Sequence, residues 1–194
     1  FHGGYSSQPV FGGPVYFFRN LLYHVQSGTD FKLDARPAGL LMYHNTLIGE
    51  QAVRSPNANV HWRNNLFLGR DTPGRGIMTW ANATSVYSSD YNGFRPNKGV
   101  DNQYNWMAPT QRGETLYYNK PENWKAFRTL AELQAATGQE KHGIEVDFDI
   151  FEKMTPADPA PNKRYAVYHA MDLNFRLKAG SKAVDAGERL PTVN

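Results

Sequence analysis

Hydrophobic and polar residues alternate in short bursts along the first half of the chain, and the bursts recur. In Val60-His61-Trp62-Arg63 the apolar positions are Val60 and Trp62, with His61 between them. Successive side chains of a strand point to opposite faces, so this is the period of a half-buried β-strand. Leu40 and Met42, and earlier Val15 and Phe17, repeat the phase, which predicts an inner stack of Phe17, Met42 and Trp62. Each burst reaches an asparagine and leads into a second apolar one. The copies are Phe18-Arg19-Asn20-Leu21-Leu22-Tyr23, Tyr43-His44-Asn45-Thr46-Leu47-Ile48-Gly49 and Arg63-Asn64-Asn65-Leu66-Phe67-Leu68-Gly69, with Ser88-Ser89-Asp90-Tyr91-Asn92-Gly93 as a weaker echo. Taking Asn20, Asn45, Asn65 and Asp90 as equivalent, the spacings are 25, 20 and 25 residues.

A period in the twenties belongs to solenoids, whose units bury their apolar faces only by stacking on one another. Leucine-rich repeats need a regular Leu lattice and a helix or tight turn per unit, and the chain has neither. Its strands are rich in aromatic and β-branched residues, and its loops hold Pro, Gly and Asn. The pattern predicts an all-β fold, a right-handed parallel β-helix (solenoid), with about four units over residues 15–95. Asparagine suits the corners because it tolerates left-handed backbone and can hydrogen-bond to the next asparagine in a stack. Asn20, Asn45 and Asn65 therefore read as a structural ladder rather than as catalytic groups.

After about residue 95 the repeat fades. Tyr104 to Tyr118 is aromatic and contains Pro and Gly, which reads as a long surface excursion. Thr129-Leu130-Ala131-Glu132 is a capping box, Leu130, Leu133 and Ala136 lie at helical spacing, and Gly138 stops the helix. Ile144 to Ile150 alternates strictly, which predicts a strand with Glu145, Asp147 and Asp149 on one face, either solvated or holding Ca²⁺. The expected division is residues 1–95 as β-helix rungs and residues 96–194 as an irregular C-terminal extension. That extension carries one short helix and packs on the rungs without forming an independent domain.

The runs Phe11-Gly12-Gly13-Pro14-Val15-Tyr16-Phe17-Phe18-Arg19-Asn20, Tyr43-His44-Asn45-Thr46 and Asn64-Asn65-Leu66-Phe67-Leu68-Gly69 resemble secreted bacterial right-handed parallel β-helix repeat proteins. So does Arg176-Leu177-Lys178-Ala179-Gly180-Ser181-Lys182-Ala183-Val184-Asp185-Ala186-Gly187. The resemblance covers roughly residues 8–194, as a C-terminal portion of such a protein. It implies a bacterial protein in a secreted, periplasmic or extracellular location. It also implies missing N-terminal rungs, or a partner chain, to cover an open end that would expose apolar residues and strand edges. Polysaccharide lyases, glycosidases, esterases and inert adhesins share this architecture, so fold alone does not select a reaction.

Charge narrows the partner. The net charge is +3, and residues 1–100 carry 9 Lys and Arg against 5 Asp and Glu, while residues 101–194 carry 12 against 13. The basic bias of the repeat half suits an acidic polysaccharide. Lys and Arg are not clustered as a run of phosphates would require, which argues against nucleic acid. There is no cysteine, so disulfides and thiolate chemistry are excluded. No stretch approaches the ~20 apolar residues of a membrane span.

Candidate chemistry sits on outward side chains of adjacent units. Alternation in Asp30-Phe31-Lys32-Leu33-Asp34 puts Phe31 and Leu33 inside and Asp30, Lys32 and Asp34 outside; one unit on, Val53 is inside and Arg54 outside. This layout resembles β-helix lyases of the alginate-lyase and chondroitinase-B type. The likeness implies Lys32 as the base, Arg54 as the group that stabilises or protonates, and Asn64-Asn65 as the next corner. Proton abstraction beside a uronate carboxyl needs a base and nearby positive charge, and like-charge repulsion lowers a lysine's pKa toward that use. Such relatives also hold Ca²⁺ through a Glu-rich motif that is absent here, leaving Asp30 and Asp34 to substitute. The alternative is solvated charges on a strand face. A second outward column, Phe18, Tyr43 and Arg63 with Tyr16, Leu41 and His61 beside it, offers Tyr43, His61 and Arg63 for substrate binding; alternatively, the helix near residue 130 covers it. Glycosidase chemistry would need two facing carboxylates, and Asp34, Asp71 and Asp90 form no adjacent pair. Asn82-Ala83-Thr84 fits a glycosylation sequon. The two function classes expected are a lyase acting on an acidic glycan by β-elimination and a non-catalytic structural or carbohydrate-binding fragment of a larger protein or assembly.

Overall fold

A computed structural model of the chain describes residues 2–3, 14–25, 31–33, 39–49, 53–116, 120–158, 160–163 and 165–191, with backbone alone for 2–3, 32–33 and 53–56. The strands come in threes. The first set is β1 (His2–Gly3), β2 (Val15–Phe18) and β3 (Leu21–Tyr23), and the second is β4 (Lys32–Leu33), β5 (Leu40–Tyr43) and β6 (Thr46–Gly49). The third is β7 (Val53–Asn57), β8 (Val60–Arg63) and β9 (Leu66–Gly69), and the fourth β10 (Met78–Asn82), β11 (Ser88–Asp90) and β12 (Gly93–Arg95). The chain continues through β13 (Tyr104–Met107), β14 (Lys125–Phe127), α1 (Leu130–Thr137), β15 (Ile144–Glu145), β16 (Phe151–Lys153) and β17 (Asn174–Leu177).

Equivalent strands of successive sets pair in parallel. The first sheet has the order β1-β4-β7-β10-β13-β14, the second β11-β8-β5-β2, and the third β15-β12-β9-β6-β3. Phe17, Met42 and Trp62 are register partners, and Met42 and Trp62 are fully buried. The core grows by stacking rings. Trp62 meets Trp80 edge-on at 4.4 Å, and Trp80 lies flat on Trp106 at 4.7 Å.

The expectation of a single right-handed parallel β-helix does not hold. The described strands form several separate small sheets of mixed orientation, with one α-helix: β14 runs antiparallel to β13, and β16 and β17 make an antiparallel pair of their own. The asparagine spacing reports that neighbouring units stack; it carries no information about continuity of one coil. After Met107 the chain reverses, and α1 together with short 3₁₀ turns, including Pro121–Asn123 and Phe148–Ile150, takes over from the repeat.

Two further readings change. Strand pairing does not stop near residue 95: Tyr104–Met107, expected as a surface excursion, pairs with β10, and β15 pairs with β12. Tyr104 and Trp106 face the core because they alternate with Asn105 just as the earlier strands do. The strand expected over 144–150 ends at Glu145, because the Asp147 side chain accepts from Phe148 N and opens a 3₁₀ turn.

The helix is as expected. Thr129 and Glu132 close the capping box and Gly138 caps the far end at φ 67°. Leu130 and Leu133 join the main core alongside Tyr104 and Trp106.

Candidate functional site

The first sheet carries the Lys32–Arg54 pair. Lys32 in β4 and Arg54 in β7 are direct register partners. The column extends both ways, from His2 before Lys32 to Thr79 and Asn105 after Arg54. Each step between neighbouring strands is about 4.8 Å. Thr79 lies between the buried Met78 and Trp80, and Asn105 between Tyr104 and Trp106. Both columns of aromatics fill the core, so Thr79 and Asn105 take the opposite face of the sheet. Asn105 is half-buried and Thr79 nearly covered. Sequence reasoning missed these two, although a polar residue between two large apolar ones marks both. Asp30 and Asp34, the carboxylates expected near Ca²⁺, lie outside the described residues. Among the described residues no group of three or more His, Asp or Glu is arranged to hold a metal ion.

Tyr43, His61 and Arg63 lie in the second sheet, in β5 and β8, and so on a different sheet from Lys32 and Arg54. Their columns are Tyr16-Leu41-His61-Ser88 and Phe18-Tyr43-Arg63-Asp90. The helix's two buried leucines enter the core rather than covering this face. Phe18 and Tyr43 nevertheless do not offer two sugar platforms, because their rings lie flat on each other at 5.2 Å and 4°. Tyr16, 61 % exposed, presents its ring to solvent. His61 Nδ1 is 2.7 Å from Ser88 Oγ. Burial first, and the Arg63 charge second, push its pKa below the ordinary histidine value and favour the neutral ring. Burial raises the Tyr43 pKa and keeps it a phenol.

Arg63 is engaged by the C-terminal segment. Its Nε is 3.3 Å from Glu188 Oε2. Next to it, the Asn64 amide grips the Glu188 main chain at two points, donating to its carbonyl at 2.7 Å and accepting from its N–H at 2.8 Å. Asn64 thus anchors the tail, while Asn65 belongs to the ladder.

That ladder is continuous. Asn45 Oδ1 accepts from Asn20 Nδ2, Asn65 Oδ1 from Asn45 Nδ2, and Asn92 Oδ1 from Asn65 Nδ2, at 2.9–3.0 Å. Asn92 therefore takes the place assigned to Asp90, which is the register partner of Arg63. Asp90 pairs with His142 at 3.0 Å. The left-handed residue at each corner is the one before the asparagine: Arg19, His44, Asn64 and Tyr91, with φ of 55–58°. Asn92 then donates to Glu140, which is fully buried and whose carboxyl burial pushes up to about 7.

Two further acidic candidates, Asp71 and Asp147, meet Arg95. Arg95 makes a two-point contact with Asp71 at 2.9 Å, reaches Asp147 at 2.6 Å and lies over the Phe148 ring. The Arg95 hydrogen bonds hold Asp71 below the usual carboxylate range. Arg95 thus engages both Asp71 and Asp147. No helix among the described residues is long and apolar enough to cross a membrane. Comparison with protein-family models, curated proteins and solved structures returned no match.

Proposed function

We propose that the chain binds an acidic polysaccharide along the first sheet and cleaves it by β-elimination, with Lys32 as the base and Arg54 stabilising the dianion. The observation that carries this is the register of Lys32 on Arg54 in adjacent parallel strands. Two cationic residues one strand step apart fit a uronate: one removes the proton beside the carboxyl group while the other balances the charge that develops. Asp30 and Asp34 flank Lys32 in sequence and are the carboxylates through which Ca²⁺ would assist.

The test is a screen of alginate, pectate and glycosaminoglycans for ultraviolet-absorbing unsaturated products, with and without chelator. Lys32→Ala is expected to abolish product while leaving binding largely intact, since the base acts in the transition state. Full activity in that variant, or products without the unsaturated end, removes the lyase reading.

Binding without turnover is the second reading. It is favoured by Asn105, which continues the column with hydrogen-bonding capacity and no second acid–base group. It predicts retention of the polysaccharide and no product.

A further inference from the structure

The column of Lys32 and Arg54 runs on into a cleft. Asn105, its last polar member, lines a space of about 700 Å³ between residues 73–76, which lead into β10, and residues 99–102, which lead into β13. The two loops meet closely at Gly76: a Cβ there would lie 2.4 Å from the Asn102 carbonyl oxygen, so a larger residue would force them apart. Arg75 and Asp101 contribute opposite charges to the lining, and Asp101 is also 3.6 Å from the Arg128 guanidinium.

We infer that this cleft is a second subsite for the same glycan, one that takes a sugar ring through its hydroxyls and not through a carboxylate. The inference rests on the reading of the Lys32–Arg54 column as a glycan groove. Three strand steps separate Lys32 from Asn105, about 14 Å, so a ligand touching both extends beyond one ring. The chemistry changes along that distance. At Lys32 and Arg54 the column is cationic; at Asn105, beyond the buried Thr79, it offers an amide, which both donates and accepts. In the cleft Asp101 sets a carboxylate against Arg75, so the lining mixes both signs where the column at Lys32 and Arg54 is cationic. Hydroxyl groups satisfy such a lining, because each donates one hydrogen bond and accepts others. The subsite thereby sets a minimum ligand length.

The test is calorimetric titration of the full chain with uronate di-, tri-, tetra- and hexasaccharides, at low salt and at about 1 M salt, where the Debye length falls to about 3 Å. Affinity is expected to rise about tenfold, or ~1.4 kcal/mol, once the oligosaccharide is long enough to enter the cleft. Because the hydroxyls that enter the cleft are uncharged, that gain persists in high salt. On the exposed loop, Arg75→Ala should erase the gain and leave the affinity for the shortest ligand unchanged; Asn105→Ala should also erase the gain, whereas Arg54→Ala weakens every length. Arg75→Ala keeps the test decisive should Asn105→Ala fail to fold. A wild-type chain that binds with no gain on lengthening overturns the subsite alone. So does a gain that vanishes in high salt, or one that survives both cleft variants. Absence of binding at any length overturns the glycan groove and the subsite together.

Discussion

Asn65 uses every hydrogen-bonding position its side chain has. Its Oδ1 accepts from Asn45 N and Nδ2, and its Nδ2 donates to Met42 O and Asn92 Oδ1. It is fully buried, so Asn65→Ala strands several polar groups away from water at about 1–3 kcal/mol each. A loss of at least about 3 kcal/mol in urea unfolding is expected. Asn20→Ala, at the half-buried end of the ladder, should cost about 1 kcal/mol; equal losses would show that burial does not set the ladder's worth. The asparagine corners were legible because the residue type recurs with its flanking strands. Their left-handed residues were not, since Arg19, His44, Asn64 and Tyr91 share no chemistry. Asn82 illustrates the limit of a motif. It fits a sequon, yet it is fully buried, its Oδ1 accepting from Val60 N and its Nδ2 donating to Thr84 O. Expressed in a glycosylating host, the folded chain should carry no glycan at Asn82; a glycopeptide there in mass spectrometry would contradict the burial.

At the scale of elements, α1 was legible because its signals are local: a capping box at one end, glycine at the other and leucines three apart between them. The role of Glu140, just beyond the helix, was hidden, because in sequence it looks like an ordinary surface residue. In the structure it receives hydrogen bonds from Ser89 Oγ and from Asn92 N and Nδ2, closing the asparagine ladder with a carboxyl group. Its pKa in the folded chain, about 7, lies above the ordinary glutamate value, so the folded state holds this proton more tightly than the unfolded one. The stabilisation is fully present below the unfolded value and is lost as pH rises through about 7. Glu140→Gln removes the titration. Wild type should lose stability relative to this variant, on the order of 3 kcal/mol, as pH rises from about 4 to about 8. Parallel unfolding curves for the two proteins across that range would rule the linkage out. The strand misread over 144–150 failed for a related reason. Alternation there came from Asp147 and Asp149, and Asp147 serves Arg95 and a 3₁₀ turn.

For the whole molecule, stacking of successive units was legible and their assembly was not. Alternation gave the register of Lys32 on Arg54, because each sits beside an apolar residue in short strands of one period. The same alternation marked Tyr43, His61 and Arg63 as a second outward column but could not say that it belongs to a different sheet from Lys32 and Arg54. Long-range partners were invisible too: Glu188 lies 124 residues from Asn64, and Ala157, which accepts from Arg70, lies 87 residues away from it. Such contacts depend on how the C-terminal segment returns to the sheets, for which periodicity carries no signal.

The ladder also separates what in this chain is free to change length from what is not. Its asparagines are spaced 25, 20 and then 27 positions apart, yet every corner joins its two strands through two residues: Arg19-Asn20, His44-Asn45, Asn64-Asn65 and Tyr91-Asn92. The variation in spacing falls outside these corners, and residues 73–76, which wall the cleft beside Asn105, lie in the longest of the three intervals. Lengthening such a loop is inexpensive, about 0.6 kcal/mol for each doubling. The fold therefore leaves the loop beside the cleft open to insertion and grafting while one invariant seam keeps the units in step.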